Sequence, residues 1–199
     1  QQNTTGVWDS NYKGVWHLPN GTTLSEDDST SNASNGTITG ALTAISTPLY
    51  GGSSHPGGTN PPYINLGTPA ALSITGTETI SAWVKMGAIN GDDDNNIFIK
   101  SGSVSGNNGP QLKNTADCSG INANRNFSIH ISTNGTLGSE VCSNTILAVD
   151  TWYYVTGVYD AGGQTLKIYV NGVDDTGGTV GEPVPASQFN PAINAEIGR

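Results

Sequence analysis

Apolar and polar residues alternate along two segments of the chain with a period of two, which is typical of β-strands with one buried face. In residues 77–85 the apolar positions are Ile80, Ala82 and Val84, and the intervening positions are Ser81, Trp83 and Lys85. Residues 151–172 contain two more aromatic and β-branched runs, which flank a glycine-rich sequence at residues 160–163. A turn of that composition between two such runs predicts a β-hairpin.

Weaker patterns predict further short strands at residues 7–18, 37–44, 63–66, 71–74, 96–100 and 127–131. No helical apolar repeat of useful length occurs, so we expect helices to be short or absent. Residues 101–126 lack clear periodicity and are expected to form a long loop. No apolar stretch approaches the ~20 residues that a membrane-spanning helix needs.

The wording of these segments, ISAWVK, then WYYVTGVYD and LKIYVNG, resembles the laminin-G-like, concanavalin-A-like lectin/glucanase superfamily. The resemblance implies an all-β fold, a two-sheet antiparallel jelly-roll sandwich used mostly for binding outside the cell. Residues 1–6 are expected to be a linker and residues 7–199 the domain. Residues 193–199 resemble the family's penultimate strand, so we expect the domain to lack the family's final strand and to leave a sheet edge unpaired. Either the first segment covers the edge left there, or a downstream domain or a strand-sharing neighbour does so.

The chain is acidic, with 7 Lys and Arg residues against 16 Asp and Glu and a formal charge of −9. A nucleic-acid-binding surface needs clustered basic residues, so we expect no nucleic-acid partner. The same charge disfavours anionic membrane surfaces, and we expect no membrane insertion. An acidic chain suits hard cations such as Ca²⁺, which take oxygen ligands.

Cys118 and Cys142 are the two cysteines of the chain. Neither lies in a CxxC motif, and lysine is scarce while N-x-S/T sequons recur, which favours an extracellular or cell-surface location. In that setting the two cysteines most simply form a disulfide with each other; two free buried thiols are the alternative.

Residues 28–37 resemble a calcium-holding loop of the family, in which an aspartate, polar side chains and backbone carbonyls contact the ion. The resemblance implies a Ca²⁺ cofactor with Asp28 and Asn32 as ligands, although Ser31 and Ala33 replace glycines of the pattern. A solvated Asx-turn loop is the alternative. The acidic run Asp92, Asp93 and Asp94 has no calcium-loop spacing, and we interpret it as a solvated turn.

Alternation also predicts a sugar-binding face, because aromatic rings stack on sugar rings while polar groups contact the hydroxyls. Trp83 and Lys85 share one face of their strand, and Tyr169 and Asn171 share one face of theirs. These four residues are the predicted carbohydrate-binding set on the outer, concave face. The alternative is that loops cover the aromatic residues and form a second small core.

Catalysis has little support in the sequence. The carboxylates are isolated, the E-x-D-x-x-E spacing of the superfamily's glucanases is absent, and no G-x-S-x-G motif occurs. We therefore expect a non-enzymatic module of a larger surface protein, stabilised by calcium, that binds a glycan or an extracellular protein in adhesion. The second hypothesis is a structural domain of a surface or filament assembly with no small-molecule ligand.

Overall fold

The computed structural model describes residues 6–18, 24–46, 51–54, 62–87, 95–102, 104–115 and 126–199. The chain divides into two compact units. The first comprises Gln1–Ser73 with Asn194–Arg199, and the second comprises Ile74–Ile193.

Among its described residues, the first unit contains five short strands: β1 (Thr37–Thr39), β2 (Thr43–Ser46), β3 (Gly51–Ser54), β4 (Tyr63–Gly67) and β14 (Ala195–Ile197). Strand β4 lies between β1 and β14, and β2 pairs with β3, all antiparallel. Alternation along β4 buries Ile64 and Leu66. The strand predicted in residues 7–18 is wrong, because that segment forms turns and contributes only one bridge, between Trp16 and Asp28.

The second unit contains two sheets. Sheet A consists of β5 (Glu78–Lys85), β10 (Trp152–Asp160), β11 (Thr165–Val170) and β12 (Val173–Asp174) in the order β12-β11-β10-β5. The predicted hairpin is present. Strands β10 and β11 pair antiparallel, beginning with the pair Asp160 and Thr165 beside the turn and ending with the pair Val155 and Val170. The strand predicted in residues 77–85 is β5, which pairs antiparallel with β10 along its whole length.

Sheet B of the same unit consists of β6 (Asn95–Ile99), β7 (Gln111–Thr115), β8 (Asn126–Ser132), β9 (Gly138–Ser143) and β13 (Thr176–Gly181), in that spatial order. All pairs whose register is resolved are antiparallel. Strand β7 lies inside the segment that was predicted to be a loop. Its sequence QLKNT shows no apolar alternation, and pairing with β8 rather than its own composition makes it a strand.

The core of the second unit lies between sheets A and B. Sheet B contributes buried residues such as Phe127, Ile129 and Ile131, and sheet A contributes Val155 and Ile168. A side chain at position 157 would not fit, because a Cβ on Gly157 would lie 2.6 Å from the Ile129 side chain. The glycine thus permits the close approach of the two sheets.

These elements confirm the predicted fold class, an all-β antiparallel sandwich of two sheets. The described residues contain no α-helix. A strand predicted at residues 71–74 is wrong, because Ala70–Leu72 forms a single 3₁₀ turn closed by the Leu72 N–H donating to the Pro69 carbonyl at 3.0 Å. In the part of the chain that the structure describes, no helix is both long and apolar enough to cross a bilayer.

Candidate functional site: the outer face of sheet A

Alternation gives sheet A one face toward the core and one face toward solvent. Along β10 the side chains from Tyr153 to Tyr159 at odd positions are buried, and those at even positions are partly exposed. The pairing register of the sheet places the exposed side chains of the neighbouring strands next to the even-numbered side chains of β10. This outer face carries Thr79, Ser81, Trp83 and Lys85 on β5, Trp152, Tyr154, Thr156 and Val158 on β10, Thr165, Lys167 and Tyr169 on β11, and Asp174 on β12.

Trp83 and Tyr154 form the centre of the outer face. They are direct cross-strand partners, with ring centroids 5.3 Å apart and ring planes inclined by 39°. The Tyr154 hydroxyl donates to the Ser81 hydroxyl at 3.1 Å, which holds the phenol ring in place. Trp83 nevertheless remains 47% exposed. A large aromatic surface is therefore held in a fixed orientation and presented to solvent.

Trp152 and Lys85 lie next to this pair, toward the end of β5. The Lys85 ammonium is 6.0 Å from the centroid of the Trp152 ring, and its Nζ is 3.8 Å from Oδ1 of Asp150. Asp150 is largely exposed, so solvent weakens this ion pair. The Lys85 ammonium keeps donors available beside an aromatic ring.

Tyr169 lies on the other side of the central pair, beside the middle of β10. Its cross-strand partners are Thr156 on β10 and Asp174 on β12. Lys167 Nζ donates to Asp174 Oδ2 at 2.9 Å. Hydrogen bonds from Thr176 and then Lys167 lower the pKa of Asp174 to about 2, so this carboxylate is ionised at neutral pH.

Asn171 has a structural role in the turn between β11 and β12. Asn171 and Gly172 both have positive φ, 52° and 81°, as a two-residue type I′ turn requires. The Oδ1 atom of Asn171 accepts a hydrogen bond from the Tyr154 N–H at 2.9 Å, and its own N–H donates to the Tyr154 carbonyl at 2.8 Å. Asn171 therefore fixes the backbone of the strand that carries Tyr154.

The structure places the predicted carbohydrate-binding residues on one surface: Trp83, Lys85 and Tyr169 on the outer face, and Asn171 at its margin. Sequence reasoning missed Trp152 and Tyr154. The alternation in WYYVTGVYD could have identified them. Tyr153 and Val155 belong to the core, so Trp152 and Tyr154 must lie on the opposite face of the strand. Their role in binding stays a prediction.

The predicted calcium loop is organised around Asp28. Its Oδ1 accepts hydrogen bonds from the N–H groups of Val15 and Thr30, both at 2.9 Å. Its Oδ2 accepts from the Thr30 hydroxyl at 2.8 Å and from the Ser34 N–H at 2.9 Å. Burial alone would raise the pKa of Asp28, but these hydrogen bonds outweigh it and lower the pKa.

Asn32, the second predicted calcium ligand, directs its amide nitrogen to the carbonyls of Tyr12 and Lys13, at 3.1 and 3.2 Å. Both predicted ligands therefore connect this loop to residues 12–15. A calcium site needs six to eight converging oxygen ligands, whereas each Asp28 oxygen faces two hydrogen-bond donors. This arrangement does not fit a cation at Asp28, and no cluster of three metal-ligating side chains occurs among the described residues. We therefore expect no calcium at Asp28, and the response of stability to added calcium tests that expectation.

Each of the three buried glutamates lies near a cation. Glu140 Oε1 is 3.5 Å from Lys113 Nζ, and Glu196 forms a 2.8 Å ion pair with Arg199. Glu78 faces Lys100. Burial raises the pKa of Glu78 to about 7, although a hydrogen bond with Gln188 and the charge of Lys100 act in the opposite direction. Such pairs compensate buried charge.

Cys142 lies on β9, is fully buried and is not a free thiol. Its predicted partner Cys118 lies outside the described residues, as do Asp92, Asp93 and Asp94. The disulfide between Cys118 and Cys142 and the solvated acidic turn both stay predictions.

Comparisons with known proteins agree with the sandwich. The Laminin_G_3 family model, described as the concanavalin A-like lectin/glucanases superfamily, matches residues 57–199. A search of the curated proteins finds no match.

Solved structures with a similar fold include a Bacteroides ovatus ATCC 8483 protein, provisionally described as a carbohydrate binding protein. Its sequence identity is 20% and its TM-score 0.47, with 64% of this chain and 32% of that chain covered. A native heptameric SAP-like pentraxin from Limulus polyphemus has 16% identity and a TM-score of 0.42, with 63% of this chain and 54% of that chain covered. The chain thus spans about a third and about half of these two proteins. On the family match, the chain belongs to the concanavalin A-like lectin/glucanases superfamily.

Proposed function

We propose that the chain is a carbohydrate-binding module that acts outside the cell or at its surface, as part of a larger protein. The observation that carries the proposal is an aromatic strip on the outer face of sheet A, formed by Trp152, Tyr154, Trp83 and Tyr169. An exposed aromatic surface costs free energy in water unless a partner covers it, and such patches mark interaction sites.

The chemistry around the strip suits a sugar. The rings offer flat apolar surfaces, and the ammonium groups of Lys85 and Lys167 and the carboxylate of Asp174 supply donors and acceptors for hydroxyl groups. The hydroxyl groups of Ser81 and Thr156, which are cross-strand partners, lie on the same outer face. This combination is less suited to an apolar peptide or lipid, because charged groups lie beside the rings at both ends of the strip, Trp152 and Tyr169.

We also propose that the chain has no enzymatic activity. The support is that each of the buried glutamates Glu78, Glu140 and Glu196 lies near a cation, and that the outer face carries no glutamate among its described residues. Incubation with linear polysaccharides tests this proposal. Release of reducing ends by the purified chain, abolished by Glu140→Gln, would contradict it.

A glycan array tests the binding proposal. The wild-type chain should bind at least one class of glycan, and Trp83→Ala and Tyr154→Ala should each weaken that binding by about tenfold or more, because each removes a stacking surface. The matched control is Tyr12→Ala, since Tyr12 is an aromatic residue with the same 47% exposure as Trp83 but lies outside sheet A.

Circular dichroism and a thermal melt should show that all three variants fold. Absence of binding to every glycan at millimolar protein would contradict the proposal and favour a structural domain without a small-molecule ligand. Equal binding by wild type and Trp83→Ala would retain a sugar-binding module but remove the outer face as its site.

A further inference from the structure

The aromatic strip follows the axis of β10. Trp152 and Tyr154 are two residues apart on that strand, and Thr156, two residues further, is the cross-strand partner of Tyr169. Two residues of strand advance about 6.6 Å, so the strip extends for roughly 13 Å along the sheet. This is the length of two to three sugar rings joined end to end.

Three ring positions divide the strip. Trp152 forms the first, the Trp83–Tyr154 pair forms the second, and Tyr169 forms the third. Each position has polar groups beside it: Lys85 at the first, Ser81 at the second, and Asp174 with Lys167 at the third. The repeat of one aromatic surface with polar neighbours matches the repeat of a sugar chain.

In the part of the chain that the structure describes, the β5 side of the strip is exposed to solvent. Strand β5 is the last strand of sheet A in the spatial order, and its residues at Thr79, Ser81, Trp83 and Lys85 are all exposed. A site for a single terminal sugar encloses that sugar in a pocket. A strip on an exposed sheet face instead lets an internal segment of a longer chain lie along it.

Among the described residues beside the three ring positions, the charged side chains occur as ion pairs. Lys85 lies beside Asp150 and Lys167 beside Asp174, which gives two ammonium groups and two carboxylates. A polysaccharide with a carboxylate or sulfate on every sugar would be attracted by the lysines and repelled by the aspartates. Hydroxyl groups can both donate and accept, so they suit both kinds of group.

We propose that the outer face of sheet A binds a neutral linear polysaccharide lengthwise, with consecutive sugar rings on Trp152, on the Trp83–Tyr154 pair and on Tyr169. The inference rests on the proposed carbohydrate-binding function and specifies its ligand class: internal segments of an uncharged chain, bound through about three rings.

Length ladders test the proposal. Isothermal titration is carried out with oligosaccharides of one to six units from β-1,4-glucan, β-1,3-glucan, β-1,4-xylan and β-1,4-mannan, and with α-1,4-galacturonan as the anionic series. At least one neutral series should gain roughly three- to tenfold in affinity per added ring up to three or four units, then level off. The anionic series should bind more weakly than the best neutral series.

Variants test the order of the ring positions. Trp152→Ala and Tyr169→Ala should each remove part of the gain with length while leaving the affinity of the shortest bound ligand nearly unchanged. Trp83→Ala should lower the affinity at every length, and Trp83→Phe should restore most of it. Tyr12→Ala is the control and should bind as the wild type does.

The outcomes separate this inference from the proposed function. Two results would overturn the proposed neutral, lengthwise ligand: an affinity that does not depend on ligand length, or tighter binding of the anionic series. If binding is still lost in Trp83→Ala in either case, the outer face of sheet A remains the sugar-binding site. If no neutral series binds but the array identifies a branched or terminal sugar, the inference is likewise overturned. Binding that survives both Trp83→Ala and Trp152→Ala overturns the inference together with the assignment of the face.

Discussion

One carboxylate, that of Asp28, accepts four hydrogen bonds from Val15, Thr30 and Ser34 and so links the loop at residues 28–34 to the segment around Val15. Asp28→Asn replaces acceptors with an amide that presents hydrogen atoms to some of these donors. Leaving buried donors unpaired costs about 1–3 kcal/mol each, so we expect the variant to lose about 2 kcal/mol or more of unfolding free energy in urea denaturation. Asp27→Asn, at an exposed neighbour, should change stability by less than about 0.5 kcal/mol.

The same carboxylate gives the first unit a dependence on acid. The pKa of Asp28 lies below its ordinary value of 3.8 in the folded chain. The ionised form is therefore favoured by folding, and its stabilisation is present above pH 3.8 and lost as the pH falls through the lowered pKa. Wild type and Asp28→Asn should approach each other in stability at the most acidic pH. A difference that stays constant down to that pH would contradict this role.

Glu78 gives the opposite dependence. Its pKa is about 7 in the folded chain because of burial, against an ordinary value of 4.5. The folded state holds the proton over this window and the unfolded state does not, so stability falls as the pH rises from about 4.5 to about 7. The full effect is on the order of 3 kcal/mol. Glu78→Gln should flatten this part of the stability profile, measured by urea denaturation at several pH values.

Exposed Glu182→Gln is the matched control for Glu78→Gln and should keep the wild-type slope. The neighbours of Glu78 contribute as well, because the pKa of buried Lys100 is lowered by its burial and that of Tyr159 is raised, first by burial and then by Glu78. Neither shift is removed by Glu182→Gln. An unchanged slope in Glu78→Gln would show that another group carries the dependence.

At this scale the sequence identified exposed aromatic positions but not polar networks. Trp83 and Tyr169 follow from alternation because a strand repeats every two residues. The roles of Asp28 and Glu78 depend on donors and charges that are distant in sequence, such as Val15 and Lys100. A local pattern contains no information about those contacts. The predicted calcium role of Asp28 came instead from a family resemblance.

Among the elements, the turn between β11 and β12 connects the fold to the candidate site. Gly172 has φ of 81° and nothing lies within 4 Å of its added Cβ, so Gly172→Ala isolates backbone strain from steric clash. Left-handed backbone costs an L-residue about 1–2 kcal/mol, and we expect a loss of that size in unfolding free energy. Gly162→Ala, in the β10–β11 turn without a positive φ and with 3.5 Å of space, should cost less.

The turn also predicts a link to binding. Asn171 holds the backbone of β10 at Tyr154 through two hydrogen bonds. Gly172→Ala should displace Asn171 and so lower the affinity for the glycan that binds best on the array. The decrease should be smaller than that caused by Trp83→Ala. If Gly172→Ala destabilises the chain but leaves its affinity unchanged, Asn171 supports the fold and not the site.

Elements with strong alternation were predictable, and those defined by their neighbours were not. Strands β5, β10 and β11 have apolar residues at every second position and formed as predicted. Strand β7 carries Lys113 and Asn114 at buried positions, and β13 has the glycine-rich sequence TGGTVG. Both exist because a paired strand already offers them hydrogen-bonding partners, an effect of tertiary context on weak local preference.

For the whole molecule, calcium is the first open question. If residues 28–37 hold the ion, calcium at about 100 times its dissociation constant adds about 2.7 kcal/mol of stability, which a thermal melt detects. The hydrogen bonds to Asp28 lead us to expect no shift in melting temperature between excess Ca²⁺ and chelator. A rise that disappears in Asp28→Ala would contradict this expectation and restore the predicted cofactor.

The covalent state of the cysteines decides how the whole molecule responds to its redox environment. Cys142 is buried on β9 and is not a free thiol, and Cys118 is the one other cysteine of the chain. A disulfide between them closes a loop of about 25 residues and adds roughly 3 kcal/mol by restricting the unfolded chain. We expect intact mass after non-reducing alkylation to show no added label, and the chain to be less stable in urea after reduction by about that amount.

Cys118→Ser should reproduce the loss without reductant and expose Cys142 to alkylation only on unfolding. Two labelled cysteines in the native, non-reduced chain would contradict the disulfide and remove one support of the extracellular proposal, because a persistent disulfide belongs to an oxidising compartment.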